Sequence, residues 1–343
     1  MKKISMAALL FLLFIPQILG IPSLTKLPCS GSEDTAAVIW DSPVASNLYC
    51  VRMIGANDGW TVGNAGTIIR WNGAKWVTVD SPTDRRLLSV SMVDADDGWA
   101  VGDGGTIIRW NGAEWINWAS PTMTQLNSVS MIGADDGWAV GNVGTLIRWN
   151  GTGWSEVDGP TGQSLWSMSM VSADDGWAVG WGVVIRWNGE EWITWPRPTQ
   201  KELASVTMVD ADDGWAVGLG AIIRWSGVDW SVVKSPTEEY LTSVSVVSDE
   251  EGYAVTNAGT ILRWDGTGWS VWAHPTTERL LSLFMVDEGS GWAVGYGGTI
   301  VRLTTSEEEP ESPKSTFYIY LLLLVCIIFV STIIIRRVYT QSN

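Results

Sequence analysis

Across residues 89–122 the hydrophobic and polar positions fall into four short runs, 89–93, 98–102, 106–110 and 114–119, rich in Val, Ile, Thr and Trp. Runs of this length and composition suit half-buried pleated strands. Asp94-Ala95-Asp96-Asp97, Asp103-Gly104-Gly105 and Asn111-Gly112-Ala113 separate them, and all three are good turn formers. No ten-residue stretch of the unit holds apolar positions at helical spacing without a glycine, so helix is excluded. The unit then repeats. Its Asp-Gly-Trp core, with Tyr at one copy, returns at Trp60, Trp99, Trp138, Trp177, Trp215, Tyr253 and Trp292, spaced 39, 39, 39, 38, 38 and 39 residues. Four antiparallel strands per period of about 40 residues describe a propeller blade.

The two ends of the array predict how it closes. Residues 37–43 precede the first complete unit and match the fourth run of the others, with Trp40 at the place of Trp118, Trp195 and Trp272. The last unit stops after its third run, at Leu303. Pairing the orphan N-terminal strand with the last blade removes both exposed edges. The prediction is an all-β, seven-bladed β-propeller over residues 35–303, in which the N-terminal strand completes the seventh blade.

Outside that span the pattern changes. Residues 1–20 read as a signal peptide, with Lys2 and Lys3 ahead of an apolar run. Residues 21–34 form an N-terminal extension, and residues 304–316 an acidic linker containing Glu-Glu-Glu-Pro-Glu-Ser-Pro. Residues 317–335 carry no charge and are long enough for a transmembrane helix. Arg336 and Arg337 follow in a short tail, residues 336–343. The positive-inside rule then places the propeller on the extracytoplasmic side of a cell membrane. A removable sorting signal is the other reading of this C-terminal stretch.

Composition narrows the partners. A net charge of −16 argues against nucleic acid. What remains is the membrane itself through the single span, and another surface or membrane protein or a glycan. The 24 tryptophans are explained mostly by packing between radiating blades. Of three cysteines, Cys326 lies in the apolar span, while Cys29 and Cys50 could bridge in an oxidising compartment or remain free thiols. Asn150-Gly151-Thr152 is a glycosylation sequon in a turn.

The repeated Gly-Trp-Ala-Val-Gly…Gly-Thr-Ile-Ile-Arg-Trp-Asn-Gly…Trp resembles the repeats of the photosystem II stability/assembly factor family and of the wider BNR (sialidase-type) propellers. The resemblance covers residues 36–303. It implies the propeller fold, and for the first family the chaperoning of a membrane complex. The Asp-box of the wider group is only echoed at Trp110-Asn111-Gly112-Ala113-Glu114-Trp115, where Ser and Thr are missing. The sialidase-type resemblance also implies an alternative, glycan binding or glycoside hydrolysis.

In a repeat protein, whatever recurs in every blade is scaffold. Arg70, Arg109, Arg148, Arg186, Arg224, Arg263 and Arg302 recur at one point of the third strand and are expected to lie against the core Trp and the turn carboxylates rather than to form an anion-binding ring. A calcium reading of the Asp94–Asp97 turns fails on ligand spacing, since Gly98 falls where the third ligand belongs. His274 is the only histidine, and no nucleophile motif accompanies it. No catalytic residue, cofactor or metal is therefore expected, and the chain reads as a non-enzymatic binding or assembly module. Departures between copies cluster in the loops joining the second and third strands and in the interblade loops, which share one face. There Trp166, Trp181, Leu219 and Tyr240 are predicted to form an aromatic patch, with Asp103 and Tyr296 on the same face. Arg52 and Phe284 break the small-residue pattern of the inner strand and are expected to fill one side of the channel.

Overall fold

A computed structural model describes residues 35–305. The signal peptide, Cys29, most of the acidic linker and the 317–335 span lie outside the described residues. Among the described residues no helix is long and apolar enough to cross a membrane.

The described residues form seven four-stranded antiparallel sheets. Six blades use consecutive strands, as in the second blade: Leu87–Met92, Gly98–Gly102, Ile107–Trp110 and Trp115–Asn117. The seventh takes its fourth strand from the N-terminus. Thr35–Trp40 pairs antiparallel with Ile300–Thr305, with Trp40 opposite Ile300 and Thr35 opposite Thr305. Ring closure therefore follows the expected scheme. The last strand runs two residues past the predicted boundary at 303, because Thr304 and Thr305 find partners in Ala36 and Thr35.

The core consists of seven layers between neighbouring blades. In the layer between the first and second blades, Trp60, Val62 and Ile68 meet Leu87, Val90, Ala100, Ile108, Trp110 and Trp115. Trp60 stands edge-on to Trp115, with centroids 5.3 Å apart and planes at 86°, and tilts onto Trp110 at 4.8 Å. A large flat ring on each second strand fills a wedge that widens outward, which aliphatic side chains of strand size would leave open. The third-strand tryptophans also close the turns between the first and second strands. The indole N–H of Trp110 donates to Ala95 O at 3.0 Å, and Trp71, Trp149, Trp187 and Trp225 repeat the bond.

Each blade's innermost strand turns one edge toward the channel, and its N–H groups there need acceptors. Serines of the preceding blade supply them. Val129 N and Met131 N donate to the Ser89 and Ser91 hydroxyls, both at 3.1 Å. Ten such bonds join neighbouring blades. The small-residue pattern of the inner strand is thus a pattern of cross-blade acceptors.

Candidate binding face

The seven repeat arginines pack against their own blade's core aromatic, and five of them also reach the third-strand Trp of the next blade, as Arg70 does Trp110 at 5.8 Å. Each lies opposite the aromatic residue of the second strand, as Arg70 does Trp60 and Arg263 does Tyr253. Six guanidinium carbons sit 4.9–5.6 Å from that residue's indole centroid. Arg70, Arg109, Arg148 and Arg186 make two-pronged hydrogen bonds of 2.8–3.3 Å to Asp58, Asp97, Asp136 and Asp175. Arg224 is shared between Asp213 and Asp249, and Arg263 lies 3.7 Å from Glu251. Arg302 rests on Trp40 and Trp292, with Ser290 where other blades carry an acid. The hydrogen bonds to Asp58 and Asp213 raise the pKa of Arg70 and Arg224 above the ordinary guanidinium value. Seven contacts spread round the ring, each with its own aromatic, form no common anion pocket. The acids they hold are those of the Asp94–Asp97 type turn, whose first carboxylate is occupied by the turn itself: Asp94 Oδ1 accepts from Asp96 N and Asp97 N at 2.8 and 2.9 Å.

The opposite face is assembled from the loops that vary. Backbone bonds tie each second-to-third-strand loop to the residue entering its own blade's inner strand: Asp103 N to Arg86 O, Trp181 N to Ser164 O, Leu219 N to Glu202 O, Tyr296 N to Arg279 O. The two loop sets therefore form one surface. In four blades the second-to-third-strand loop is a short 3-10 turn such as Asp103–Gly105. Its last glycine, Gly105, has φ +71°, and a Cβ there would strike Thr122 O. In the fourth and fifth blades the loop is one residue shorter and lacks this turn, which leaves Trp181 and Leu219 55% and 45% exposed.

Two apolar pairs result. Trp166 and Trp181 meet edge to face, with centroids 5.8 Å apart. Leu219 and Tyr240 form an isolated antiparallel bridge, and burial beside the Glu202 carboxylate pushes the Tyr240 phenol up to about 12. Asp103 and Tyr296 sit in other sectors of the same face. Asp103 holds Arg86 through bonds of 3.1 and 2.9 Å, and Arg279 stacks over the Tyr296 ring at 5.5 Å. Of the predicted residues, the structure brings together Trp166 with Trp181 and Leu219 with Tyr240, and it separates Asp103 and Tyr296 from both pairs.

Sequence reasoning missed two features of this face. A polar chain crosses the second, third and fourth blades: Arg86 Nη2 donates to Gln125 Oε1 (3.4 Å), Gln125 Nε2 to Asn127 Oδ1 (2.7 Å), and Asn127 Nδ2 to Asn142 Oδ1 (3.0 Å) and Leu165 O (2.8 Å). The signal was present in the residue before each inner strand, which reads Asn47, Arg86, Gln125, Ser164, Glu202, Tyr240 and Arg279 round the ring. The second feature is Val143. It is 69% exposed and has φ +48°, a backbone that β-branched residues rarely adopt. Its N–H donates to the hydroxyl of Ser164, the residue whose carbonyl accepts from Trp181. The sign in the sequence was a Val where sister turns place Ala65, Gly104 and Gly297.

His274 is exposed at the end of a fourth strand, its Nδ1 3.1 Å from the Thr260 hydroxyl. Cys50 is a partly accessible thiol, its Sγ 3.9 Å from Val90 O. An open groove of about 740 Å³ between the first and second blades, lined by Thr83, Arg85, Asn117 and Trp118, lies apart from the apolar pairs.

No family model and no curated protein matches the chain. Similar solved structures include YCF48 bound to D1 peptide, at 18% identity and TM-score 0.66, covering 82% of this chain and 98% of that one. A catalytically inactive virginiamycin B lyase from Staphylococcus aureus with quinupristin shares 14% identity at TM-score 0.72, covering 79% and 99%. The WD40 propeller domain of Doa1 shares 13% at TM-score 0.68, covering 80% and 98%. These proteins include a peptide-bound propeller and a lyase, and the chain shares with them the β-propeller fold.

Proposed function

We propose that the chain is a non-enzymatic module that captures a protein partner on its variable face, through the apolar sector of the fourth to sixth blades. The observation that carries this reading is the placement of tryptophan. Twenty-two of the 24 occupy the four repeat positions of the second, third and fourth strands and pack between blades. Trp166 and Trp181 are the two that do not, and they meet on this face with Trp181 half exposed. An aromatic held by a neighbour and open to solvent is the residue type that anchors interfaces, and variable loops on a constant scaffold are where binding concentrates. A peptide-bound propeller among the similar structures supports the class of ligand. The N-terminal and C-terminal patterns of the sequence support export and tethering at a membrane, with the partner a surface or membrane protein.

The test is affinity capture from detergent-solubilised native membranes, with the wild-type chain and its Trp181→Ala and Tyr240→Ala variants as baits. A membrane protein retained by the wild type and lost from both variants is the expected result. Equal recovery by all three baits overturns the apolar sector as the site. Recovery of polysaccharide alone overturns the class of partner.

A further inference from the structure

The serine ring that joins the blades loses both of its hydroxyls at one seam, between the first and second blades. Six of the seven residues equivalent to Ser89 are serines, and the seventh is Cys50. At the level of Ser91 the ring reads Arg52, Ser91, Ser130, Ser169, Thr207, Ser245 and Phe284. By the repeat, Val90 N–H and Met92 N–H occupy the channel-edge positions from which Val129 and Met131 donate to serine hydroxyls. The first blade offers them a thiol and a cation instead. Met53 N–H is in the same situation, since Phe284 stands where a serine would accept from it.

Arg52 itself is unusual. It lies over the Phe284 ring at 4.8 Å, and among the described residues it makes no ion pair and no hydrogen bond. Burial in the channel wall lowers its pKa from the ordinary guanidinium value. In a chain of net charge −16, a half-buried cation with no carboxylate partner among the described residues is out of keeping with every repeat arginine but Arg302. Arg302 has two rings on its face, Trp40 and Trp292, whereas Arg52 has one, Phe284, and shares its level of the channel with the N–H groups of Met53 and Met92, which by the repeat face no hydroxyl acceptor. Two more guanidinium groups, Arg279 and Arg85, are exposed on the variable face, on the seventh and second blades that flank the first. The guanidinium and N–H groups of this set donate, and what complements them is an acceptor carrying negative charge.

We propose that the first-blade sector of the central channel binds an oxyanion, a carboxylate or a phosphate, on Arg52 and the channel-edge N–H groups of the first and second blades. This site is independent of the apolar sector, which lies across the ring. Arginine suits the role because its planar fork meets two oxygens of one anion.

The test is calorimetric titration of the full-length chain with inorganic phosphate and, separately, with acetate, at constant ionic strength set by chloride. The two arms distinguish phosphate from carboxylate as the preferred anion. Saturable binding of one of them is expected, weakened at least about tenfold in Arg52→Ser and retained within about threefold in Arg52→Lys. Arg52→Ser places at this level the residue that four other blades use, so it should melt no lower than the wild type. Arg52→Gln, closer in size, serves as a second neutral variant and should bind as weakly. Undiminished binding in both neutral variants overturns the site. So does the absence of saturable heat with either anion at millimolar concentration. A loss in Arg279→Ala as large as that in Arg52→Ser would move the anion to the variable face and overturn the channel assignment.

Discussion

Single residues on the variable face separate stability from recognition. Val143 holds a left-handed backbone at the position where sister turns use Gly or Ala, and that conformation costs a β-branched residue about 1–2 kcal/mol. Val143→Gly is therefore expected to stabilise the chain by about 1 kcal/mol in chemical denaturation while weakening partner capture, since it removes an exposed apolar group next to Ser164. Greater stability with undiminished capture would leave the strain without a role in binding. Tyr240 carries its own signature. Its phenol is pushed up to about 12 in the folded chain, from an ordinary value of 10.0. A raised folded pKa means that its contribution is complete below about pH 10 and lost as pH rises through about 12. Tyr240→Phe should remove a component with that midpoint from the phenolate absorbance titration and flatten the fall in stability over the same window. Trp166, Trp181, Leu219 and Tyr240 were all legible as departures from a repeat. That they form two pairs was not, because pairing depends on how far each shortened loop lets its side chain project.

At the scale of the strand, the serines show how a repetitive sequence satisfies an open edge. Removing the Ser89 hydroxyl leaves Val129 N–H buried without its acceptor, so Ser89→Ala should cost about 1–3 kcal/mol in urea unfolding. The reverse change should help the seam that lacks the bond. Cys50→Ser puts a hydroxyl opposite Val90 N–H and is expected to raise stability by up to about 1 kcal/mol, read from the denaturation midpoint at unchanged slope. A lower midpoint would show that the thiol packs better than the hydroxyl bonds. The strands themselves were readable from β-branched runs between Gly, Asn and Asp. The cross-blade bonds were not, because a run such as Ser-Val-Ser-Met specifies a small polar position without saying which neighbour it faces.

For the whole molecule, closure is the decisive contact. Trp40 packs edge-on against Trp71 at 5.8 Å and Trp292 at 5.5 Å, and its ring also supports Arg302. Trp40→Ala should cost about 3 kcal/mol, and deletion of residues 35–40 should leave Ile300–Thr305 as a bare edge that drives association, visible as oligomers in size-exclusion chromatography. A monomeric deletion variant of unchanged stability would contradict closure by the N-terminal strand. The sequence by itself determined the number of blades, the strands within each, the exchange of the N-terminal strand and the placement of an arginine against each blade's core aromatic. It could do so because a repeat is read by comparison with its own copies, and period, turn chemistry and an orphan strand are properties of chain order. Only the tertiary structure decided which departures meet. The Trp166–Trp181 contact, the polar chain from Arg86 to Asn142 and the Arg52–Phe284 contact all join residues of different loops or blades. Those contacts depend on the curvature of the closed ring, which no single repeat encodes.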